Sequence, residues 1–324
     1  MPKRLTVVLT SRCFLNCVMC KGIEIPWDIS KETVASIVRC MPFLESIEWT
    51  GGEVYFSKYF ENLFEKASVY PDLHQQINSN GLLINEERAK KLMRKRVTIR
   101  ISVDGFTKET YENIRRGAKF EKLLNNISLV AKYKQQCNSR IDSVDEAAVM
   151  GLQFMVMRSN YHEMEKAVDF AKEYKFDFVN FYPPERTFNE EDFLFQDDTK
   201  ILSPMEKISS KIKTQAEECN MKYSNHLPVK TVSKDPEHFP ADENEIEGTI
   251  TCYEPWESMF VGPSNTIKPK CYCINDIPIK KRLIEEIWNS RAIQLYREKL
   301  LNKDYTWCNA LCKRVCISFP AHSR

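Results

Sequence analysis

Regular alternation of strand-like and helix-like stretches over the first two thirds of the chain predicts an α/β fold built on a parallel sheet. Three observations carry that prediction. Short β-branched and apolar runs recur, each followed by apolar residues at helical spacing. About six such pairs follow one another, and strands joined through helices form right-handed βαβ units. Gly, Asn and Asp punctuate the ends of the runs, at Gly51-Gly52-Glu53, Asn78-Ser79-Asn80-Gly81 and Asp104-Gly105. Those positions are the C-terminal ends of strands, where α/β folds place their chemistry.

Taken in order, Leu5–Thr10 reads as a short buried strand, and a loop bearing three cysteines follows. Ser30 is the expected N-cap of a helix reaching about Arg39, with Val34, Ile37 and Val38 at helical spacing; Thr33 stands where a capping box would place an acid. Ser46–Thr50 is the second strand. A helix over 57–69 and a strand over 74–78 come next, then a helix over 85–94 and strand Val97–Val103. A helix over 119–136 leads through the polar stretch 138–150, expected as a surface loop or an extra helical turn, to strand Leu152–Met157. Helix 161–174 and strand Phe178–Tyr182 complete the series. Segment 183–200 mixes proline, acids and three phenylalanines. It reads either as a substrate-contacting loop beside the sheet's open end or as a linker packed by its aromatics. Helix 204–219 leads outward, and the acidic, proline-bearing stretch that follows reads as an exposed linker. The expected division is residues 1–225, a linker over 226–250, and a small cysteine-rich unit over 251–324.

Composition narrows the function classes. The 324 residues are 43% hydrophobic and 28% charged, as in a globular chain, and long enough for one large domain and a smaller one. A formal net charge of +2 gives no electrostatic reason to expect nucleic acid or an acidic membrane surface as partner. No apolar run approaches the ~20 residues that span a bilayer, and the N-terminus lacks a signal-peptide layout. Twelve cysteines without a secretory signal imply a reducing compartment, the cytoplasm, and metal ligation rather than disulfides.

Cys13, Cys17 and Cys20 form a C-x3-C-x2-C loop in the stretch LTSRCFLNCVMCK. Three thiolates this close are poorly placed to pair with one another and well placed to hold a soft metal centre. A closed zinc site needs a fourth ligand. The next cysteine is Cys40, within an apolar helical run, and the first histidine is His74. An iron–sulfur cubane held by three cysteines would keep one iron open to another ligand.

This triplet after a first apolar strand, with Gly51-Gly52-Glu53 ending the second, resembles the radical S-adenosylmethionine (SAM) enzymes. The resemblance implies a partial (β/α)6 barrel. It implies a 4Fe-4S cluster on Cys13, Cys17 and Cys20, whose open iron is chelated by the amino and carboxylate groups of SAM. One electron then cleaves SAM to methionine and a 5′-deoxyadenosyl radical. Gly51, Gly52 and Glu53 would meet the SAM amino group. Ser102 and Asp104, in ISVDG, would bind the ribose or carboxylate, with a strand-end turn as the alternative. Arg116 of RRG would pair with the SAM carboxylate, Arg115 being the other candidate. Asn80 and Asn160 stand at the third and fifth strand ends, where Asn is also a common turn residue. Met19 departs from the pattern: the family usually has an aromatic residue before the third cysteine, and methionine supplies a soft apolar contact without a stacking ring.

A second group, Cys252, Cys271, Cys273, Cys308, Cys312 and Cys316, accompanies CYEPW, Gly262 and IEEIWNS. It resembles the SPASM or twitch extension of radical SAM enzymes, which carries auxiliary iron–sulfur clusters. Six cysteines cannot fully hold two four-cysteine cubanes, and the last trio lacks the usual C-x2-C-x5-C run. One auxiliary cluster is expected, on Cys252, Cys271 and two or more of the last trio. A second cluster with an open or non-cysteine ligand, and a structural zinc, are the alternatives. Cys40, Cys137 and Cys219 read as ordinary small buried residues. Cys219 is the candidate hydrogen-atom donor, if the chain uses one.

The resemblance implies an enzyme that abstracts a hydrogen atom from its substrate, with flavodoxin or ferredoxin as electron donor. The first reading is an oxidoreductase or maturase modifying a ribosomally made peptide, since such enzymes are common among SPASM proteins. The second is a dehydrogenase or epimerase of a small alcohol, sugar or aminocyclitol. The sequence opens at the first strand, so no fused leader-binding domain is expected, which favours the second reading. A non-enzymatic electron carrier or metal-stabilised binding module is the third. A carrier would coordinate every iron, which the three-cysteine loop does not.

Overall fold

The computed structural model describes residues 1–20, 26–183, 199–227, 252–270, 273, 276–279 and 282–308, with the backbone alone over 199–203. The strands are β1 (Arg4–Val8), β2 (Ser46–Thr50), β3 (His74–Ser79), β4 (Val97–Ser102), β5 (Val149–Met155), β6 (Phe178–Tyr182), β7 (Lys222–Asn225), β8 (Ser258–Gly262), β9 (Thr266–Lys268) and β10 (Ile277–Pro278). The helices are α1 (Lys31–Cys40), α2 (Phe60–Ala67), α3 (Glu86–Leu92), α4 (Lys108–Ile114), α5 (Phe120–Asn138), α6 (Ala167–Glu173), α7 (Thr199–Glu218), α8 (Glu254–Glu257), α9 (Ile284–Trp288) and α10 (Arg291–Leu301). The chain forms two compact units. The first comprises Met1–Arg12, Ile25–Gln75 and Phe239–Arg324; the second comprises Cys13–Glu24 and Gln76–His238.

In the first unit β1 pairs in parallel with β2, Leu5 opposite Ile47 and Val7 opposite Trp49. These four side chains are at most 1% exposed and form the apolar face that period-two alternation provides. Trp49 satisfies its indole N–H on Gln75 at 3.0 Å, as a buried tryptophan must. The intervening helix α1 is capped as the sequence predicts, Ser30 Oγ accepting the Thr33 N–H at 3.1 Å. On its other side β1 pairs in parallel with β8, and β9 and β10 continue in antiparallel fashion.

In the second unit β4, β5, β6 and β7 run parallel in that order. Each central strand has two distinct faces. Ile99, Ile101, Leu152, Phe154, Val179 and Phe181 are buried. Phe154 packs on Phe106 at 5.3 Å and on Phe181 at 5.6 Å, and Phe106 in turn meets Phe170 of α6 at 4.9 Å. This is the side the helices cover. The alternate residues, Arg100 and Ser102, Gln153 and Met155, Asn180 and Tyr182, are half-exposed.

Several elements differ from the sequence reading. The helix expected over 57–69 narrows to α2 after a 3-10 turn at Val54–Phe56, and the one over 161–174 opens as a 3-10 turn, Tyr161–Lys166. α4, β7 and β8 are additions to it. The β7 segment KYSN carries no apolar alternation, and β8 is only five residues long between the proline-bearing helix α8 and the turn Pro263–Asn265. Among the described residues no helix is long and apolar enough to cross a membrane.

Candidate functional site

In the first unit the glycines after β2 are explained by what they touch. Gly51 has φ +146°, and a Cβ there would stand 2.5 Å from the Thr10 carbonyl oxygen. A Cβ on Gly52 would stand 2.3 Å from the Arg12 oxygen and 2.5 Å from the Ser11 oxygen. The close approach lets Gly52 N–H donate to Thr10 O at 2.7 Å and Glu53 N–H to Arg12 O at 2.8 Å. The two glycines therefore fix the backbone that enters Cys13. Asp28 holds the same segment, accepting from Thr10 Oγ1 at 2.7 Å and pairing with Arg12 at 3.1 Å. Glu53 is 1% exposed.

In the second unit the cysteine loop is tied down from several sides. Cys13 is half-buried, Cys17 buried and Cys20 exposed, and none of the three is in a disulfide. Cys13 Sγ accepts the Leu15 N–H at 3.5 Å and faces the Asn80 amide at 3.8 Å. Asn80 is itself set by its turn, its Oδ1 accepting the Leu82 N–H at 3.0 Å. Met19 is half-buried beside Cys20. Among the described residues no three His, Cys, Asp or Glu side chains group as ligands of a single metal ion.

The other side of the loop meets the turn after α4. Asn16 N–H donates to Arg116 O and Val18 N–H to Ile114 O, both at 2.9 Å, so Cys17 lies opposite Arg115. Gly117, with φ +92°, gives passage beside Phe14 and Leu15. Arg115 pairs with Asp104 at 2.6 Å, the two side chains being 11% and 1% exposed. Asp104 also accepts the Met155 N–H at 2.8 Å. Burial pushes the Cys17 thiol up to about 11, against the opposing pull of the Arg115 guanidinium. Asp104 thus sits within the protein, bonded to Arg115 and Met155. Arg116 contributes its carbonyl to the loop and presents its side chain on the surface. Ser102 closes β4 on the half-exposed face, opposite Gln153.

Two residues hold the strand-end loop. Asn160 is fully buried: its Oδ1 accepts the Met157 N–H at 2.7 Å, and its Nδ2 donates to Asp104 O at 2.9 Å and Met155 O at 2.8 Å. Glu163, 2% exposed, accepts from the Phe106 N–H and from the hydroxyls of Thr107 and Thr110. Burial alone would raise its pKa; these hydrogen bonds and Lys166 outweigh it and hold the carboxyl below its ordinary value. Sequence reasoning missed Glu163, because an acid in a polar helical stretch looks like any solvated charge.

Of the later cysteines, Cys273 and Cys308 face each other in an isolated antiparallel bridge, which puts their side chains on one side. Cys252 is half-buried two residues before α8. Cys271, Cys312 and Cys316 lie outside the described residues, as does most of segment 183–200 and of the expected linker. Cys40 ends α1 fully buried, and Cys137 lies in the last turn of α5. Cys219 follows α7 and precedes β7, at the edge of the sheet where β6 begins, opposite to the Ser102 edge.

Residues 7–144 match the model of the Radical SAM superfamily. No curated protein matches the sequence. Among solved structures, SuiB of Streptococcus suis aligns at TM-score 0.65 and 12% identity, covering 90% of this chain and 66% of that one. This chain therefore spans just under two thirds of SuiB. Hexahistidine-tagged anSMEcpe with bound AdoMet aligns at TM-score 0.63 and 18% identity, covering 95% of this chain and 88% of that one. SuiB bound to its precursor peptide SuiA aligns at 0.63 and 13%, covering 90% and 65%. At these identities the likeness shows the fold, the radical SAM α/β partial barrel.

Proposed function

We propose, from the radical SAM domain at residues 7–144, that this chain cleaves SAM reductively and abstracts a hydrogen atom from a ribosomally made peptide. The observation that carries the reading is the cysteine loop. Three thiols outside any disulfide share one short loop, with an amide N–H and Asn80 aimed at the Cys13 sulfur. Hydrogen bonds to ligand sulfurs are a recognised lever on iron–sulfur clusters, and the donor set fits a cluster held by Cys13, Cys17 and Cys20. When bound, the cluster and SAM together supply one-electron cleavage to methionine and a 5′-deoxyadenosyl radical.

The chain's own residues would do the positioning. Gly51 and Gly52 set the backbone entering the loop. Glu53, Ser102 and Arg116 are the groups assigned to SAM, with Met19 against its adenine. Asp104 acts through Arg115, as a positioning residue. Cys219 receives no donor role, given its edge of the sheet. An auxiliary cluster on Cys252, Cys271 and two or more of Cys308, Cys312 and Cys316 would sit in a SPASM- or twitch-like unit over 251–324 following a linker at 226–250, and the bridge between Cys273 and Cys308 supports Cys273 as a further ligand. Flavodoxin or ferredoxin would supply the electron, in the cytoplasm. The peptide reading is supported by solved relatives of this fold whose structures contain peptides: SuiB with SuiA, and anSMEcpe with the Kp18Cys peptide.

Electron paramagnetic resonance tests the open iron. The reduced, reconstituted chain is expected to show a cluster signal that changes on adding SAM. A cluster signal indifferent to SAM contradicts the reading.

A further inference from the structure

We propose that Asn265, in the turn between β8 and β9, is a positioning residue for the radical SAM reaction proposed above, on which this inference rests. Its side-chain oxygen completes the N-terminal cap of α1 and thereby holds the strand end from which the cysteine loop leaves.

The start of α1 lacks one half of a capping box. Ser30 supplies the forward half, its Oγ accepting the Thr33 N–H at 3.1 Å. The return half is a Glu or Gln at the third helical position, which accepts the N–H of the N-cap residue itself. Thr33 stands there instead, its short hydroxyl turned to Ser30 Oγ at 3.0 Å. Asn265 supplies the missing acceptor from 235 positions away. Its Oδ1 accepts the Ser30 N–H at 2.8 Å and the Thr33 hydroxyl at 2.9 Å. A single oxygen thus serves both ends of the box.

The turn explains why that oxygen is on an asparagine and where it is held. Ser264 and Asn265 have φ +59° and +57°. In this left-handed region glycine is the least strained residue, and Asn is among the best tolerated of the others. For the turn alone glycine would serve as well. What Asn adds is a side-chain acceptor, and that acceptor is turned to α1. The turn is braced on its own side: Thr266 Oγ1 donates to Pro263 O at 3.0 Å, and Asn265 O accepts the Ile279 N–H at 3.1 Å.

What the cap holds is the base of the cysteine loop. The residues before Ser30 run against those after β1. Ile29 N–H donates to Leu9 O at 2.9 Å, Trp27 N–H to Ser11 Oγ at 3.0 Å, and Ser11 N–H to Trp27 O at 3.1 Å. Between them Asp28 takes the Thr10 hydroxyl and Arg12. Cys13 is the next residue. Gly52 and Glu53 support the same stretch from the β2 side. A run of hydrogen bonds therefore leads from Ile279 through Asn265 and Ser30 to the entry of the loop. A displaced Ser30 would carry Trp27–Ile29 with it, and the entry would lose one of its supports.

The test uses the full chain, anaerobically reconstituted and reduced, with two variants. Asn265→Gly removes the acceptor without straining the turn. Asn265→Asp keeps an acceptor, beside the positive end of the α1 dipole. The readouts are amide hydrogen exchange and the part of the cluster's paramagnetic resonance signal that changes on adding SAM. Asn265→Gly is expected to exchange about tenfold faster at the Ser11 and Ile29 amides, with Ile101 and Leu152 unchanged, and to lose SAM-responsive signal. Asn265→Asp is expected to restore both. Wild-type exchange at Ser11 in the glycine variant overturns the proposal, and so does exchange raised equally at Ile101 and Leu152. Losses as large in the Asp variant as in the glycine one overturn it too, since the accepting oxygen would then not be the cause. Faster exchange with an unchanged SAM-responsive signal overturns the positioning role. A wild type whose cluster signal ignores SAM removes the radical SAM reading, and the exchange pattern alone then upholds or overturns the hold of Asn265 on the loop.

Discussion

At the scale of single residues, the same glycines that the motif assigns to SAM have a second purpose in the protein itself. Gly52 stands where a Cβ would meet two backbone oxygens, which cannot rotate away. Gly52→Ala is expected to cost about 1–3 kcal/mol through forced backbone movement, and to lower the iron retained after reconstitution. Urea denaturation and an iron count measure both. Glu163 gives a pH prediction. Its carboxyl sits below the ordinary value in the folded chain. Its contribution is therefore present above the ordinary carboxylate pKa and is lost as pH falls through the lower folded one. Glu163→Gln is expected to destabilise by about 1–3 kcal/mol at neutral pH, because buried donors lose their carboxylate. The difference from wild type is expected to shrink in acid; denaturation at a series of pH values checks this.

At the scale of elements, the cysteine loop is held by the end of β4 and the turn after α4. Arg115 is the joint: its flanking carbonyls accept from the loop, and its guanidinium reaches Asp104. Removing one partner leaves a buried charge alone, so Arg115→Met or Asp104→Asn is expected to cost about 3–5 kcal/mol, and the double variant less than the sum. Arg115→Met should also speed hydrogen exchange at the Asn16 and Val18 amides; unchanged exchange would mean the ion pair does not support the loop. The sequence could not choose between Arg115 and Arg116, since adjacent arginines in a turn look alike. Only the chain's path turns one inward to Asp104 and leaves the other at the surface. Elements with strong periodicity were legible: Ser46–Thr50 and Phe178–Tyr182 fall where apolar alternation puts them. β7, with its sequence KYSN, was not, because a short edge strand of polar residues has no pattern to read. β8 escaped because its place beside β1 depends on residues some 250 positions away, set by tertiary pairing rather than local propensity.

At the scale of the whole molecule, the proposed chemistry rests first on the cysteine spacing. That spacing is a covalent property of the chain, and the match over residues 7–144 falls on it. The supporting residue Glu163 was hidden, since its importance lies in burial and in the groups it satisfies, whereas Asn160 was legible as a strand-end residue but not as a fully buried one. The radical SAM assignment therefore stands or falls on what Cys13, Cys17 and Cys20 hold. The most direct measurement is 5′-deoxyadenosine formed after anaerobic reconstitution and reduction with SAM, with iron and sulfide counted per chain. Wild type and the Cys13→Ala, Cys17→Ala, Cys20→Ala triple variant are compared. Wild type is predicted to carry about one cubane more than the variant and alone to form 5′-deoxyadenosine, the variant's remaining iron counting the auxiliary clusters. A wild type that binds only zinc, or forms no 5′-deoxyadenosine with a full cluster load, would contradict the assignment.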